Sequence, residues 1–413
     1  MKAAVCGLAA GTVPAPASKS AAHRHLILAA LADASGTVNG LTFSEDIEAT
    51  IRCLTALGAS IRVEGNTARV IPVDCPPVQA QLDCGESGST LRFLIPVAAA
   101  LGVHAVFTGR GRLPERPVTG YLETLRQHGA AIRYNGRLPL EISGKLMPGE
   151  FFVEGEKSSQ YLTGLLLALP YLGGTSTIRV TTALGSGSYV DITTDLMARY
   201  GVKAERTEQT FHVPGARYRG GQHFVEGDWS SAAFPLCLGA LGGDVSVTGL
   251  EENSTQGDRA ILSILRDMGC SVQISQDGIR VRKTALKALR RDMEDIPDLV
   301  PVTAVLCAVA VGESVLSGVE RLRYKESDRI ASTIGLITAL GGNAGYENGR
   351  LHITGGRLHG GLVSTQHDHR IAMAAAVAAA AADGPVQLDD TACVAKSYPG
   401  FWKDYQLLGG ELL

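Results

Sequence analysis

Apolar residues recur at spacings of four and three along several stretches of this chain. Ile47, Ile51, Leu54 and Leu57 form one set, and Ile330, Ile334, Ile337 and Leu340 another. That spacing lays apolar side chains along one face of a helix. Each set runs into a glycine, Gly58 or Gly341, able to take the left-handed conformation that ends helices. Gly129, Gly201, Gly269 and Gly409 close comparable stretches, and the six stand 71, 72, 68, 72 and 68 residues apart. Alternating stretches follow most of these glycines: ASIRVEGNTARVIP, AAIRYNGRLPLEI, SVQISQDGIRVRK and NAGYENGRLHITG. They predict hairpins, with Asn135-Gly136, Asp277-Gly278 and Asn348-Gly349 as two-residue turns.

A second, strongly apolar helix is predicted in each interval, opening on small polar or charged residues. The starts are Lys19-Ser20, Ser87-Gly88-Ser89, Ser158-Ser159-Gln160, Ser230-Ser231, Asp298 and Asp368-His369. Counted from Ser20, Ser89, Ser159, Ser230, Asp298 and Asp368, they recur every 69, 70, 71, 68 and 70 residues. Each unit therefore reads as strand, buried helix, strand, amphipathic helix and two strands. Six units in 413 residues predict an α/β protein of two similar domains, each with three βαβαββ repeats.

A Ser or Asp before a helix is ordinarily a cap that satisfies open backbone N–H groups. Several of these starts carry more than a cap: Lys19 and Arg24, Gln160, His369 and Arg370. Equivalent positions in a repeat share one face, so the starts predict a cleft that attracts phosphates and carboxylates.

Composition narrows the class. Hydrophobic residues make up 45% of the chain, enough for sizeable cores, and the net charge is −3. That balance argues against a general nucleic-acid or anionic-membrane binder, so any cationic site is local. The eight cysteines form no C-x-x-C pair and no zinc spacing, which predicts reduced core residues and a cytoplasmic protein. The opening MKAAVCGLAAG reads as a strand rather than a signal peptide. The longest apolar run, 371–382, is too short to span a bilayer.

Candidate chemistry sits in the segments that break the repeat. Lys19 in PASKSAAHR is not a P-loop lysine, because no Gly directly precedes it. It reads as a point charge for phosphate, with Ser20 as a hydroxyl donor and Arg24 on the same helix face. Arg116 lies in LPERP, a loop setting in which arginines are usually solvated. In RLRYKESDR, Lys325 and Arg329 share a face if the segment is helical, Glu326 can move a proton, and Ser327 or Asp328 can cap. HDHR is a poor metal site but places Arg370 at a helix start, suited to a bidentate carboxylate. Lys396 lies beyond the last buried helix. Asp298 opens an apolar helix, as a cap or as a general base.

Together these segments resemble the 3-phosphoshikimate 1-carboxyvinyltransferase (5-enolpyruvylshikimate-3-phosphate synthase) family of enolpyruvyl transferases. SKS-x-x-x-R, SGST-x-R, ERP, SSQ, Y-x-D-I-T, IPD, KESDR, DHR and AKSYP occur in the family's order over nearly the whole chain. The resemblance implies an inside-out barrel of buried parallel helices in each domain. It implies crossings near Ala17 and Gly227, so that residues 1–17 with 228–413 form one domain and 18–227 the other. The active site would lie in a cleft that closes between them.

The implied reaction transfers the enolpyruvyl group of phosphoenolpyruvate to the 5-hydroxyl of shikimate 3-phosphate in the route to chorismate, with no cofactor or metal. By resemblance Lys19, Ser20, Arg24, Ser158, Ser159, Gln160, Ser186, Tyr189, Asp298 and Lys325 hold shikimate 3-phosphate. Lys19, Gly88, Arg116, Gln160, Arg329, Arg370 and Lys396 hold phosphoenolpyruvate. Asp298, Glu326 and Lys19 are the implied proton carriers. The partners implied are these small molecules, with neither nucleic acid nor membrane, and the chain is expected to be a monomer. Three positions depart from the family: Glu86 and Arg321, where many members have Asn, and Ser89, where Thr is common.

Two other readings compete. The sister enzyme that acts on UDP-N-acetylglucosamine shares the sixfold architecture but carries a reactive Cys where this chain has Gly111. A non-catalytic anion-binding scaffold would not need the acids Asp298 and Glu326.

Overall fold

A computed structural model describes residues 2–156 and 158–413. The chain packs as two compact units, a split unit of Met1–Pro16 with Glu226–Leu413 and a central unit of Ala17–Val225. Each has its own apolar core.

The described residues form six four-stranded sheets. The repeat is complete in sequence for 79–143, 150–213 and 290–354. In the first of these, Gln79–Asp83 pairs in parallel with His104–Thr108, which pairs antiparallel with Leu140–Ser143, and Ala131–Arg133 forms the far edge. The parallel pair needs a crossover, and the buried helix Gly88–Leu101 supplies it.

The other repeats borrow strands. Gln222–Phe224 closes the sheet of Gly36–Asn39, and Ala9–Pro14 closes that of Gly243–Thr248. Lys2–Cys6 lies antiparallel between Val386–Leu388 and Gly410–Leu412. The opening segment is thus two strands rather than the single one expected, because Gly7-Leu8 separates the sheet of one repeat from that of another.

Six helices, three in each unit, are buried: Lys19–Ala30, Gly88–Leu101, Ser159–Ala168, Trp229–Gly242, Val300–Val309 and His369–Ala378. Almost every residue of each is buried, so apolarity runs all round them and removes any stripe for period analysis to find. Helix Ser159–Ala168 approaches Gly88–Leu101 so closely that a Cβ at Gly164 would lie 2.5 Å from the Arg92 carbonyl. No helix among the described residues is long and apolar enough to cross a membrane.

The six periodic glycines all follow their outer helices with φ between 79° and 107°, the conformation that favours glycine. The turns are less uniform. Asn348-Gly349 is a two-residue turn with φ 51° and 75°, joining Asn343–Glu347 to Arg350–Thr354. In 271–282 the turn is Gln276-Asp277, and Gly278 already pairs with Ser275. Asn135-Gly136 is no tight turn: six residues separate Arg133 from Leu140. Pro139, with no N–H to give, cannot extend the ladder. All eight cysteines are free and all but Cys75 are buried.

Candidate active site

The helix starts are capped as a group, though not always by the residue the repeat suggests. Ser18 rather than Ser20 caps the first buried helix, its Oγ accepting Ala21 N at 3.3 Å. Ser87 caps the second and Ser158 the third. Asp228 caps the fourth by accepting Ser231 N at 2.9 Å, which leaves Ser230 and Ser231 in the first turn. Asp298 sits in the 3-10 turn Pro297–Leu299, and its carboxylate faces cations.

In the split unit those cations meet at Asp298. Arg329 donates to its Oδ1 at 2.7 Å and Arg370 to its Oδ2 at 2.9 Å, while Lys325 Nζ stands 3.6 Å away. Lys325 and Arg329 do not share a helical face. Lys325 is extended (φ −87°, ψ −164°) and only Arg329 begins the helix, so tertiary folding rather than spacing brings them together.

Arg329 is 1% exposed and serves three carboxylates, since it also donates to Glu326 at 2.7 Å and to Asp368 at 2.8 Å. Asp368 ties the cluster together. It accepts Ser327 Oγ at 2.9 Å and caps the Arg370 helix through Arg370 N at 2.9 Å. Asp328 caps the Arg329 helix, accepting Ile330 and Ala331 N at 3.2 Å. Lys396 is buried and donates to the His367 carbonyl at 3.4 Å.

Electrostatics follow the packing. Burial opposes ionisation of Asp298, but Arg370, Lys325 and Arg329 outweigh it and hold the carboxyl well below the usual range. Burial likewise opposes the charge of Arg329, and Asp368, Glu326 and Asp298 overcome it, so the guanidinium stays charged. Nearby Asp258 goes the other way. Burial, then the Asp298 charge, push it up to about 7.

In the central unit the partners are mostly neutral. Arg24 donates to Thr193 Oγ1 at 2.8 Å and to the carbonyls of Ser20 and Tyr189 at 2.5 and 2.9 Å. Burial lowers it to about 9. Ser186, directly before a helix, is held at φ 55°, an uncommon conformation for serine.

Arg116 is buried, unlike the solvated arginine usual in a loop, because Arg92 grips the next carbonyl, that of Pro117, at 3.1 and 2.9 Å. Arg92 also donates to Gln160 Oε1 at 2.6 Å, and Gln160 Nε2 donates to Ser89 Oγ at 3.0 Å. A Cβ at Gly88 would lie 2.7 Å from Arg116 and 2.9 Å from Arg92, so only glycine lets both guanidinia approach.

Comparison with known proteins adds the decisive observation. The sequence profile of EPSP synthase (3-phosphoshikimate 1-carboxyvinyltransferase) matches residues 7–405. The chain belongs to the EPSP synthase family. It is 40% identical over 413 residues to 3-phosphoshikimate 1-carboxyvinyltransferase of Clostridium kluyveri, covering 97% of this chain and 96% of that one. The enzyme of the same name from Methanosphaerula palustris is 40% identical over 410 residues, with the same coverages. Among solved structures, EPSP synthase of Acinetobacter baumannii superposes over 100% of both chains with TM-score 0.83 at 25% identity. The enolpyruvyl transferase NikO of Streptomyces tendae shares the fold, with TM-score 0.78 at 18% identity over 100% of this chain and 98% of that one.

Within this EPSP synthase family member the departures have local settings. A Cβ at Gly111 (φ 58°) would lie 2.6 to 2.8 Å from the Glu86 carboxyl, so the acid and the glycine go together. Ser89 accepts from Gln160, and Arg321 donates to the Glu294 carbonyl at 2.6 Å. Asp368 is the helix cap that its place before His369 predicts, and it ties Ser327 and Arg329 together as well. Arg92, Asp258 and Asp46 have no role in the sequence reading. Arg92 stands inside SGST-x-R, where a charged residue in an apolar helix was a usable signal, and the two acids offered none.

Proposed function

We propose that this chain performs the reaction its family is named for, joining shikimate 3-phosphate to phosphoenolpyruvate with release of phosphate. The 5-hydroxyl oxygen bonds to the enol carbon and loses its proton, while the methylene carbon gains one. The tetrahedral adduct then expels inorganic phosphate and gives back a methyl proton, restoring the double bond. The observation that carries this reading is Asp298, an acid held between Arg329, Arg370 and Lys325.

We assign Ser20, Arg24, Ser158, Ser159, Gln160, Ser186, Tyr189, Asp298 and Lys325 to shikimate 3-phosphate. Gly88, Arg116, Gln160, Arg329, Arg370 and Lys396 take phosphoenolpyruvate, and Lys19 serves both. The assigned residues come from both units. Charge-assisted hydrogen bonds of ~1.5–3 kcal/mol each offset the repulsion between the two substrates.

Asp298 is the base toward the hydroxyl. Its depressed pKa makes it a weak proton acceptor while three cations surround it. Substrate anions that draw on Arg370 and Lys325 raise its proton affinity as they bind, which couples the base to substrate occupancy. Glu326, held by Arg329, carries the proton to the methylene, and Lys19 donates toward the leaving phosphate.

The test is phosphate release from shikimate 3-phosphate and phosphoenolpyruvate. Release only when UDP-N-acetylglucosamine replaces the shikimate ester would overturn the assignment.

A further inference from the structure

Two rungs join the first buried helix, Lys19–Ala30, to the neighbouring outer helix, Glu45–Ala56. Lys19 Nζ donates to Asp46 Oδ2 at 2.8 Å, and one turn on His23 Nδ1 shares a hydrogen bond with Thr50 Oγ1 at 2.7 Å. Both rungs span 27 residues, so they are consecutive turns of two helices in register. From Thr50 the bonds continue inward. Thr50 Oγ1 lies 2.6 Å from Thr90 Oγ1, which donates to Ser87 Oγ at 2.7 Å. The Asp46 carbonyl lies beside this chain, 3.3 Å from Thr50 Oγ1 and 3.5 Å from Thr90 Oγ1. Ser87 is the cap of the Gly88 helix, accepting Thr90 N at 3.2 Å. His23, Thr50, Ser87 and Thr90 are all buried.

One acid therefore touches two assigned phosphoenolpyruvate contacts by separate routes. Its carboxylate aims Lys19, and its carbonyl lies against the Thr50–Thr90–Ser87 hydroxyl chain that ends at the cap of the Gly88 helix. The Lys19 and Asp46 side chains are 16% and 11% exposed, so water screens this pair little. We propose that Asp46 is a positioning residue for phosphoenolpyruvate, setting Lys19 and the Gly88 helix start relative to each other. This rests on the assignment of Lys19 and Gly88 above.

Steady-state phosphate release by the full chain tests it. Asp46→Asn raises KM for phosphoenolpyruvate ~10-fold, the loss of one charge-assisted bond, and KM for shikimate 3-phosphate several-fold less. Thr90→Val shifts the same constant in the same direction by ~3-fold, and Thr90→Ser restores it. In a Lys19→Met background, Asp46→Asn adds little, a coupling that a merely structural acid would not produce. An unchanged phosphoenolpyruvate KM in both Asp46→Asn and Thr90→Val, or equal rises for both substrates, overturns the proposal. If Lys19→Met itself leaves that KM unaltered, the assignment of Lys19 fails first.

Discussion

Arg24, within a buried helix of the central unit, and Arg329, at the start of an outer helix of the split unit, are both buried, yet they are held in opposite ways. Arg24 in the central unit gives its bonds to hydroxyls and carbonyls, and burial lowers its pKa to about 9. Arg329 in the split unit gives its bonds to Asp298, Glu326 and Asp368, which keep it charged. The acids packed beside a buried arginine decide whether it offers net positive charge or a balanced exchange of partners. Anion binding favours the first arrangement, and proton transfer needs the second.

Replacing each arginine by methionine probes the contrast most strongly. Arg329→Met leaves the buried Asp368 and the part-buried Asp298 and Glu326 without their shared partner and should cost ~3–5 kcal/mol of stability, read by urea denaturation. Arg24→Met breaks bonds to neutral groups and should cost ~1–3 kcal/mol, with its main effect on shikimate 3-phosphate affinity. Equal losses would erase the distinction.

Asp298→Asn should lower kcat by ~100-fold or more, far more than it weakens shikimate 3-phosphate binding, because Arg370 and Lys325 keep their charge. A change confined to KM would assign Asp298 to binding alone. Gly88→Ala should raise KM for phosphoenolpyruvate ~10-fold, since a Cβ there displaces Arg116 and Arg92, each worth a charge-assisted bond.

Acidity should separate the units last and most gently. In the central unit, burial lowers His25 to about 3 and holds His23 well below its ordinary value. Both are neutral in the fold, and the unfolded chain binds more protons below about pH 6.5, so stability falls as pH drops from there toward the folded values. In the split unit Asp258, raised to about 7, contributes stability that is fully present below the unfolded value near 4 and lost as pH rises through 7. Hydrogen exchange followed unit by unit at about pH 5 and pH 7.5 should show slopes of opposite sign between those values. Parallel slopes would mean the buried groups do not differ as described. Below about pH 4 the unfolded chain takes up protons at Asp298 and Asp368, whose folded values are depressed, and the split unit then loses stability as well.

Much of this was legible along the chain because it is local. A glycine after an amphipathic helix needs a positive φ whatever surrounds it, and all six have one. The beat of those glycines, the apolar helices between them and the motifs at their starts were enough for the repeat, the fold class and the family. Hairpin turns were legible only where the residues on both sides could pair. Asn348-Gly349 could, whereas Asn135-Gly136 stands near a proline that cannot extend the ladder.

What the sequence alone determined, then, is the sixfold α/β repeat and the kind of residue at each helix start, because propensity and periodicity act within a few residues. Only the tertiary structure decided how those residues are partnered. Lys325 and Arg329 meet at Asp298 without sharing a helix face, and Arg92 reaches across 25 and 68 residues to Pro117 and Gln160. Asp46 turns from an ordinary helix-start acid into the partner of Lys19. Charge and burial act through space. A carboxylate's proton affinity and an arginine's aim are properties of neighbours that the order of the chain does not place side by side.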